Sequence, residues 1–305
     1  MSAATPAIVL GGTGYVAGEL LRLMAGHPAL EVTAILSDSQ PGAKVSGAFA
    51  HLRSAYPDLR FAGLEEIEAL VRRTPRCALF SAAPHGAAAA LIDRLLGAAE
   101  AAGTEVHCVD ISADFRYSSA AAYEAVYKHA HGAPARIREF TCAIPEHLRK
   151  SPTRHVAHPG CFATATLLAT VPLLALGLTD TRLFVTGITG STGSGRKPVE
   201  GTHHPQRHSD LYAYGALSHR HVPEIIACAK RYGCRCSAPC AAIRGCAITT
   251  GACARTESSP RSRSSRACAS CSPRSTASPS IDAPLNRDCQ PRRRHDSSAL
   301  RAEES

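Results

Sequence analysis

Ala7-Ile8-Val9-Leu10-Gly11-Gly12-Thr13-Gly14-Tyr15-Val16-Ala17-Gly18 is the stretch whose reading decides the fold. Its first four residues form an apolar run of strand length, and Glu19-Leu20-Leu21-Arg22-Leu23-Met24, which follows, has helical character. Strand, glycine turn and helix are thus in the order that a dinucleotide site requires. Gly12, Gly14 and Ala17 fit G-x-G-x-x-[GA], whose glycines allow the tight turn and a close backbone approach to a pyrophosphate at the helix N-terminus. Glu31 to Leu36 reads as a second strand ending in Ser37-Asp38-Ser39, where a ribose-reading residue belongs. A carboxylate at Asp38 accepts from the 2′-hydroxyl of NAD and repels the 2′-phosphate of NADP, whereas Ser37 and Ser39 can donate to that phosphate.

Working outward, Cys77 to Ala83 reads as a buried parallel strand, followed by Pro84-His85-Gly86 and an alanine-rich helix through about Ala102. Val106 to Asp110 repeats the strand. Strands alternating with helices predict an α/β fold of the Rossmann type, a doubly wound parallel sheet with ligands at the carboxyl ends of its strands. Pro84-His85-Gly86 and Ser112-Ala113-Asp114-Phe115-Arg116 occupy two such ends. After one more short strand, Ala157-His158-Pro159-Gly160-Cys161-Phe162-Ala163-Thr164 turns sharply into a helix. At the first turn of a helix, unpaired N–H groups and the macrodipole favour a thiolate, so the pKa of Cys161 is predicted to fall below about 8.5. Cys161 is the candidate nucleophile.

Cys161 to Leu178 contains no charged residue and approaches membrane-spanning length. Thr164, Thr166, Thr170, Pro172 and Gly177 within it favour instead a buried helix, apolar on all sides. Leu183 to Ile188 then reads as a strand feeding a second glycine-rich loop, Thr189-Gly190-Ser191-Thr192-Gly193-Ser194-Gly195-Arg196, suited to an anion. His203, His204 and His208 follow, then His219-Arg220-His221, where histidines bring proton transfer near neutral pH and Arg220 suits a carboxylate or phosphate. No histidine or cysteine spacing here matches a familiar tetrahedral set, so no metal is expected.

With 305 residues the chain can hold two domains of ordinary size. Its net charge is +9, but residues 234 to 305 carry twelve Arg against six Asp and Glu, which is six of the nine charges. The remainder is mildly basic and lacks the basic stripe interleaved with aromatics that binds nucleic acid. Eight of the thirteen cysteines also lie from Cys234 onward, and no disulfide framework is read from them. Met1 to Pro6 shows neither the basic nor the apolar region of a signal peptide, so a cytoplasmic protein with no membrane partner is expected.

Residues from about 7 to 233 resemble N-acetyl-gamma-glutamyl-phosphate reductase. The resemblance is carried by Gly14-Tyr15 with Gly18-Glu19-Leu20, Pro84-His85-Gly86, Asp110 to Arg116, Pro159-Gly160-Cys161, Gly193-Ser194-Gly195-Arg196 and His219 to Glu224, in that order. It implies a fold related to aspartate-semialdehyde dehydrogenase, NADPH as cofactor in preference to NAD, a small acyl-phosphate substrate and a homo-oligomer, dimer or tetramer. The domains expected are a nucleotide-binding domain over 1–160 and an α+β catalytic and dimerisation domain over 161–233.

For the site, the resemblance and the loops together imply cofactor contacts from Gly11, Gly12, Thr13, Gly14, Tyr15 and Val16, from Ser37 and Ser39, and from Pro84, His85, Gly86 and Gly193. They imply Cys161 as nucleophile, His221 or His219 as acid and base, and Ser112, Arg116, Arg196 and Arg220 around the substrate. The reaction implied is reduction of N-acetyl-L-glutamyl 5-phosphate in arginine biosynthesis. A carrier-linked aminoadipyl-phosphate reductase of lysine biosynthesis and a non-catalytic nucleotide-binding remnant are the alternatives. The sequence departs from the family in having His158 where Asn is usual before Pro-Gly-Cys, and Ala17 where many members have Gly.

A larger departure follows Gly233. Residues 234 to 305 contain no Phe, Tyr, Trp, Val, Met or Lys but fourteen Ser and twelve Arg. Such a segment buries too little apolar surface to offset roughly 1–2 kcal/mol of backbone entropy per residue, so disorder and an incomplete second domain are expected. The abrupt change is what a shifted reading frame in a GC-rich gene gives, and Cys268-x-x-Cys271 is a poor zinc half-site.

Overall fold

The computed structural model describes residues 3–148, 150–179, 182–208 and 210–232, together with the backbone strand Cys246–Thr250. The first elements are β1 (Thr5–Leu10), α1 (Tyr15–Met24), β2 (Leu30–Leu36), α2 (Val45–Ala48), β3 (Phe61–Ala62), α3 (Leu64–Arg73), β4 (Arg76–Ser81), α4 (Ala88–Ala102) and β5 (Glu105–Asp110). Then come α5 (Ala120–Tyr127), β6 (Phe140–Cys142), β7 (His155–Ala157), α6 (Cys161–Ala175), β8 (Val185–Ile188), α7 (His204–Arg207), β9 (Tyr212–Tyr214), α8 (Val222–Arg231) and β10 (Cys246–Thr250).

Seven parallel strands form one sheet in the order β3-β2-β1-β4-β5-β7-β6. The central strand shows why. Along β1, Ile8 and Leu10 point into one core with Leu79, Ile92 and Phe115, while Ala7 and Val9 point into the other with Leu21, Ile35 and Phe61. A strand buried on both faces has to be apolar throughout, as Ala7 to Leu10 is. From β1 the chain runs outward to β2 and β3, then returns to place β4 on the other side. That reversal leaves a crevice beyond the carboxyl ends of β1 and β4, where open α/β sheets take ligands. The predicted doubly wound sheet is thus present.

The first-turn acids of α3, Glu65 and Glu66, and its last-turn bases, Arg72 and Arg73, complement the helix dipole. α4 stops at Gly103, whose φ of +72° is the left-handed cap that glycine adopts without steric cost.

Two expectations need correction. α6 is apolar throughout, yet it is covered on one side only: Ala163, Thr166, Leu167 and Val171 are buried, while Leu168 and Leu173 are exposed on the helix and Leu176 lies open just beyond it. An apolar composition gives the capacity for burial and says nothing of which face finds a partner. The second correction concerns the segment after Gly233, for which no regular structure was expected. Cys246–Thr250 forms a strand between β8, to which it runs parallel, and β9, to which it runs antiparallel. Three consecutive β-branched residues, Ile248, Thr249 and Thr250, favour that conformation. Residues 234–245 and 251–305, with Cys268 and Cys271, lie outside the described residues. Among the described residues no helix is long and apolar enough to cross a membrane.

One buried histidine makes stability pH-dependent. His155 on β7 is 5% exposed, and its Nδ1 accepts the Cys108 backbone N–H at 3.1 Å. Burial pushes its pKa down to about 4. The unfolded chain takes up this proton near pH 6.5 and the folded chain near 4, so the stability is present above the first value and lost as pH falls through the second. Asp110, whose pKa is raised to about 6 by burial, works in the opposite direction. Urea unfolding of the wild type and His155→Gln at pH 7.5 and 5 therefore separates the histidine. The wild type should lose on the order of 2 kcal/mol more than the variant over this range. Equal losses would contradict the assignment.

Candidate active site

A cleft of about 880 Å³ occupies the crevice beyond β1 and β4. Its floor requires glycine. Gly11 has φ +76°, and a Cβ there would meet the Ala82 carbonyl oxygen at 2.6 Å; a Cβ on Gly12 would run into Ile35 and the Leu36 carbonyl. Gly14, immediately before α1, has nothing nearer than 3.9 Å to the same probe, so its backbone faces open space at the helix N-terminus. The residues fit a dinucleotide, with first-turn N–H groups for the pyrophosphate. Ser37, Asp38 and Ser39 line the far end. The Ser37 and Ser39 hydroxyls lie 3.4 Å apart, and Ser37 Oγ accepts the Gln40 N–H at 3.2 Å.

The remaining residues expected at the cofactor separate. Thr13 and Pro84 line the cleft. Tyr15 and Val16 are about half exposed on α1 and line no part of it. His85 Nδ1 accepts the Ala113 N–H at 2.9 Å, and Gly86, with φ +83°, donates its N–H to the Asp114 carboxylate at 2.8 Å. Gly193 lines a second cavity instead.

That second cavity, of about 550 Å³, contains Cys161, Gly190, Ser194, His219, Arg220 and His221. Cys161 is exposed as the first residue of α6. The turn before it is held from α8: Glu224 Oε1 accepts the Gly160 N–H at 2.9 Å, and Glu224 Oε2 lies 3.3 Å from Arg116 Nη1. Arg116 also donates from Nε to the His158 carbonyl at 2.9 Å and from Nη2 to the Ile111 carbonyl at 2.8 Å. Burial raises the pKa of Glu224, with Arg116 opposing. A Cβ on Gly160 would collide with the His221 imidazole and approach Arg116 Nη1 to 2.9 Å, so glycine is obligatory against this cluster.

The two histidine rings stand 4.6 Å apart, nearly perpendicular. His219 Nδ1 accepts the His221 backbone N–H at 3.2 Å. Burial pushes the His221 pKa down to about 3, and that of His219 down as well. His221 is therefore a neutral imidazole at physiological pH. Its Nδ1 is buried without a partner, and its Nε2 lies 4.0 Å from Glu224 Oε1. The Arg220 guanidinium lies 5.8 Å over the Tyr127 ring, and the Tyr117 hydroxyl donates to the Arg220 carbonyl at 3.2 Å.

Three residues expected at the substrate are elsewhere. Arg196 lines the dinucleotide cleft and is absent from the Cys161 cavity. Arg116 is 5% exposed with its guanidinium engaged as above. Ser112 is 2% exposed, its hydroxyl donating to Asp110 at 2.6 Å and accepting the Asp114 N–H at 3.1 Å. Sequence reasoning missed Glu224, although its position three residues after His221 on a helical turn was a usable signal. It also missed Tyr127 and Lys197, for which no motif speaks. Among the described residues no group of three or more His, Cys, Asp or Glu is arranged to hold a metal ion.

Residues 6–148 match the NAD binding domain of semialdehyde dehydrogenases, and residues 161–238 match their dimerisation domain. Most of the chain thus matches the domains of semialdehyde dehydrogenases, the first of which is an NAD binding domain. The N-acetyl-gamma-glutamyl-phosphate reductase of Pseudomonas aeruginosa is 41% identical over 221 residues, 71% of this chain and 61% of its own, and that of Pseudomonas fluorescens is 40% identical over the same shares. The chain is thus similar to these N-acetyl-gamma-glutamyl-phosphate reductases, and it spans about three fifths of their length. An aspartate semialdehyde dehydrogenase with NADP from Candida albicans shares the fold, with a TM-score of 0.56 and 14% identity over 82% of this chain and 68% of that one.

Proposed function

We propose that the chain catalyses the NADPH-dependent reduction of N-acetyl-L-glutamyl 5-phosphate to N-acetyl-L-glutamate 5-semialdehyde, with release of phosphate. The observation that carries this reading is an exposed Cys161 at a helix N-terminus, sharing one cavity with His219, Arg220 and His221. Cys161 Sγ attacks the acyl carbon while neutral His221 takes the thiol proton, and the C–O bond to phosphate breaks to leave a thioester. A nicotinamide held in the dinucleotide cleft would supply the hydride. His221 then lends its proton to the carbonyl oxygen and takes it back as the C–S bond breaks, which frees the aldehyde and the thiolate, and His221 finally returns the proton to the sulfur. Arg220, steadied by Tyr127 and Tyr117, binds the substrate carboxylate. The N–H groups of Gly190 to Ser194 face the phosphate. Arg116 and Ser112 act from beneath, as positioning residues.

For the cofactor we read NADPH: the Ser37 and Ser39 hydroxyls can donate to a 2′-phosphate, against the single carboxylate of Asp38. We further read 1–160 as the nucleotide-binding domain, 161–233 as the catalytic part, a homo-oligomer as the working form, and the change of composition after Gly233 as a shift of reading frame. The test is phosphate-dependent reduction of NADP with N-acetylglutamate semialdehyde, run in reverse. Turnover supports the reading; turnover only with carrier-bound aminoadipate semialdehyde would replace the substrate. No turnover in soluble protein that binds NADPH, restored when the frame after residue 233 is corrected, would leave the family reaction standing and this chain a nucleotide-binding remnant.

A further inference from the structure

The loop from Gly190 to Lys197 runs along the wall between the two cavities. Gly190, Gly193 and Ser194 line the cavity of Cys161, whereas Arg196 and Lys197 line the dinucleotide cleft. Gly195, between these halves, has φ +90° and ψ −178°, a conformation that essentially only glycine adopts. It lets the chain pass from one cavity to the other.

Arg196 crosses onto the first glycine loop. Its Nη1 donates to the Thr13 carbonyl at 3.1 Å, and its guanidinium lies 5.7 Å over the Phe49 ring. Thr13 lies between Gly12 and Gly14, so this cation stands at the pyrophosphate cradle and not at Ser37 and Ser39. Arg94 also reaches the cleft, but its charge is engaged by Glu68 at 2.8 Å and Glu65 at 3.7 Å. Arg196 and Lys197 have no carboxylate partner among the described residues. Two uncompensated cations beside the N-terminus of α1 form a site for a doubly charged phosphate group.

We propose that Arg196 and Lys197 close over the pyrophosphate of the dinucleotide, so that cofactor binding fixes the Gly190 to Ser194 wall against Cys161. This rests on the dinucleotide reading given above. Binding of NADPH and of NADH, followed by the fluorescence of the reduced nicotinamide, should weaken about tenfold in Arg196→Gln and in Lys197→Gln, equally for both nucleotides. Alkylation of Cys161 by iodoacetamide, followed on its own peptide by mass spectrometry, should change in rate when NADPH saturates the wild type. The change should be largely lost in Arg196→Gln, even at a nucleotide concentration that saturates the variant. Unaltered affinity in both variants overturns the inference. A loss confined to NADPH moves the cations to the 2′-phosphate and overturns it too. A wild type that binds neither nucleotide overturns the dinucleotide reading itself.

Discussion

Cys161→Ser is expected to lower phosphate-dependent reduction of NADP by roughly a thousandfold or more, with NADPH binding unchanged. The α6 N-terminus stabilises negative charge on sulfur and oxygen alike, so the helix does not distinguish the two residues. The distinction lies in the nucleophile: a thiol is intrinsically more acidic and more nucleophilic than a hydroxyl, so a neutral imidazole that assists Cys161 does not activate a serine in its place. A second readout isolates the covalent step. Mixed with acyl phosphate in the absence of NADPH, the wild type should release about one phosphate per site in a burst, and the variant none. A variant retaining a tenth of the activity would sink the thioester route.

How much of this was legible follows from the kind of signal each residue sends. Gly11, Gly12 and Gly14 could be read because a turn against Ala82 and Leu36 admits no side chain, and that constraint is local. The parallel sheet could be read because a strand buried on both faces must be apolar along its length. Cys161, His219 and His221 could be named by motif, and the structure brings them into one cavity. Arg196 could not be placed. Its loop touches both cavities, and only the left-handed Gly195 decides which one the arginine enters. Arg116 presents the same difficulty in another form, since an arginine in a site motif looks alike whether it faces a ligand or is buried against Glu224. The open face of α6 was illegible for a different reason: with no polar side, the helix carries no sequence mark of where its cover ends.

Glu224→Ala is expected to destabilise the fold by about 3–5 kcal/mol in urea unfolding, because it strands the Arg116 charge in the interior. The pair is 4% and 0% exposed, with a separation of 3.3 Å. It is therefore costly to bury, and breaking it costs more than its formation gains. Glu224→Gln should lose less, since its amide oxygen can still accept the Gly160 N–H that Glu224 Oε1 now takes at 2.9 Å. The informative variant removes both charges. Arg116→Met combined with Glu224→Leu eliminates the uncompensated ion, and its stability should recover to within about 1–2 kcal/mol of the wild type. Activity should not recover with it. In that double variant nothing accepts the Gly160 N–H or donates to the His158 carbonyl, so the turn that carries Cys161 is no longer held. Recovery of stability without kcat would show that the buried pair positions the nucleophile; recovery of both would show it to be packing alone.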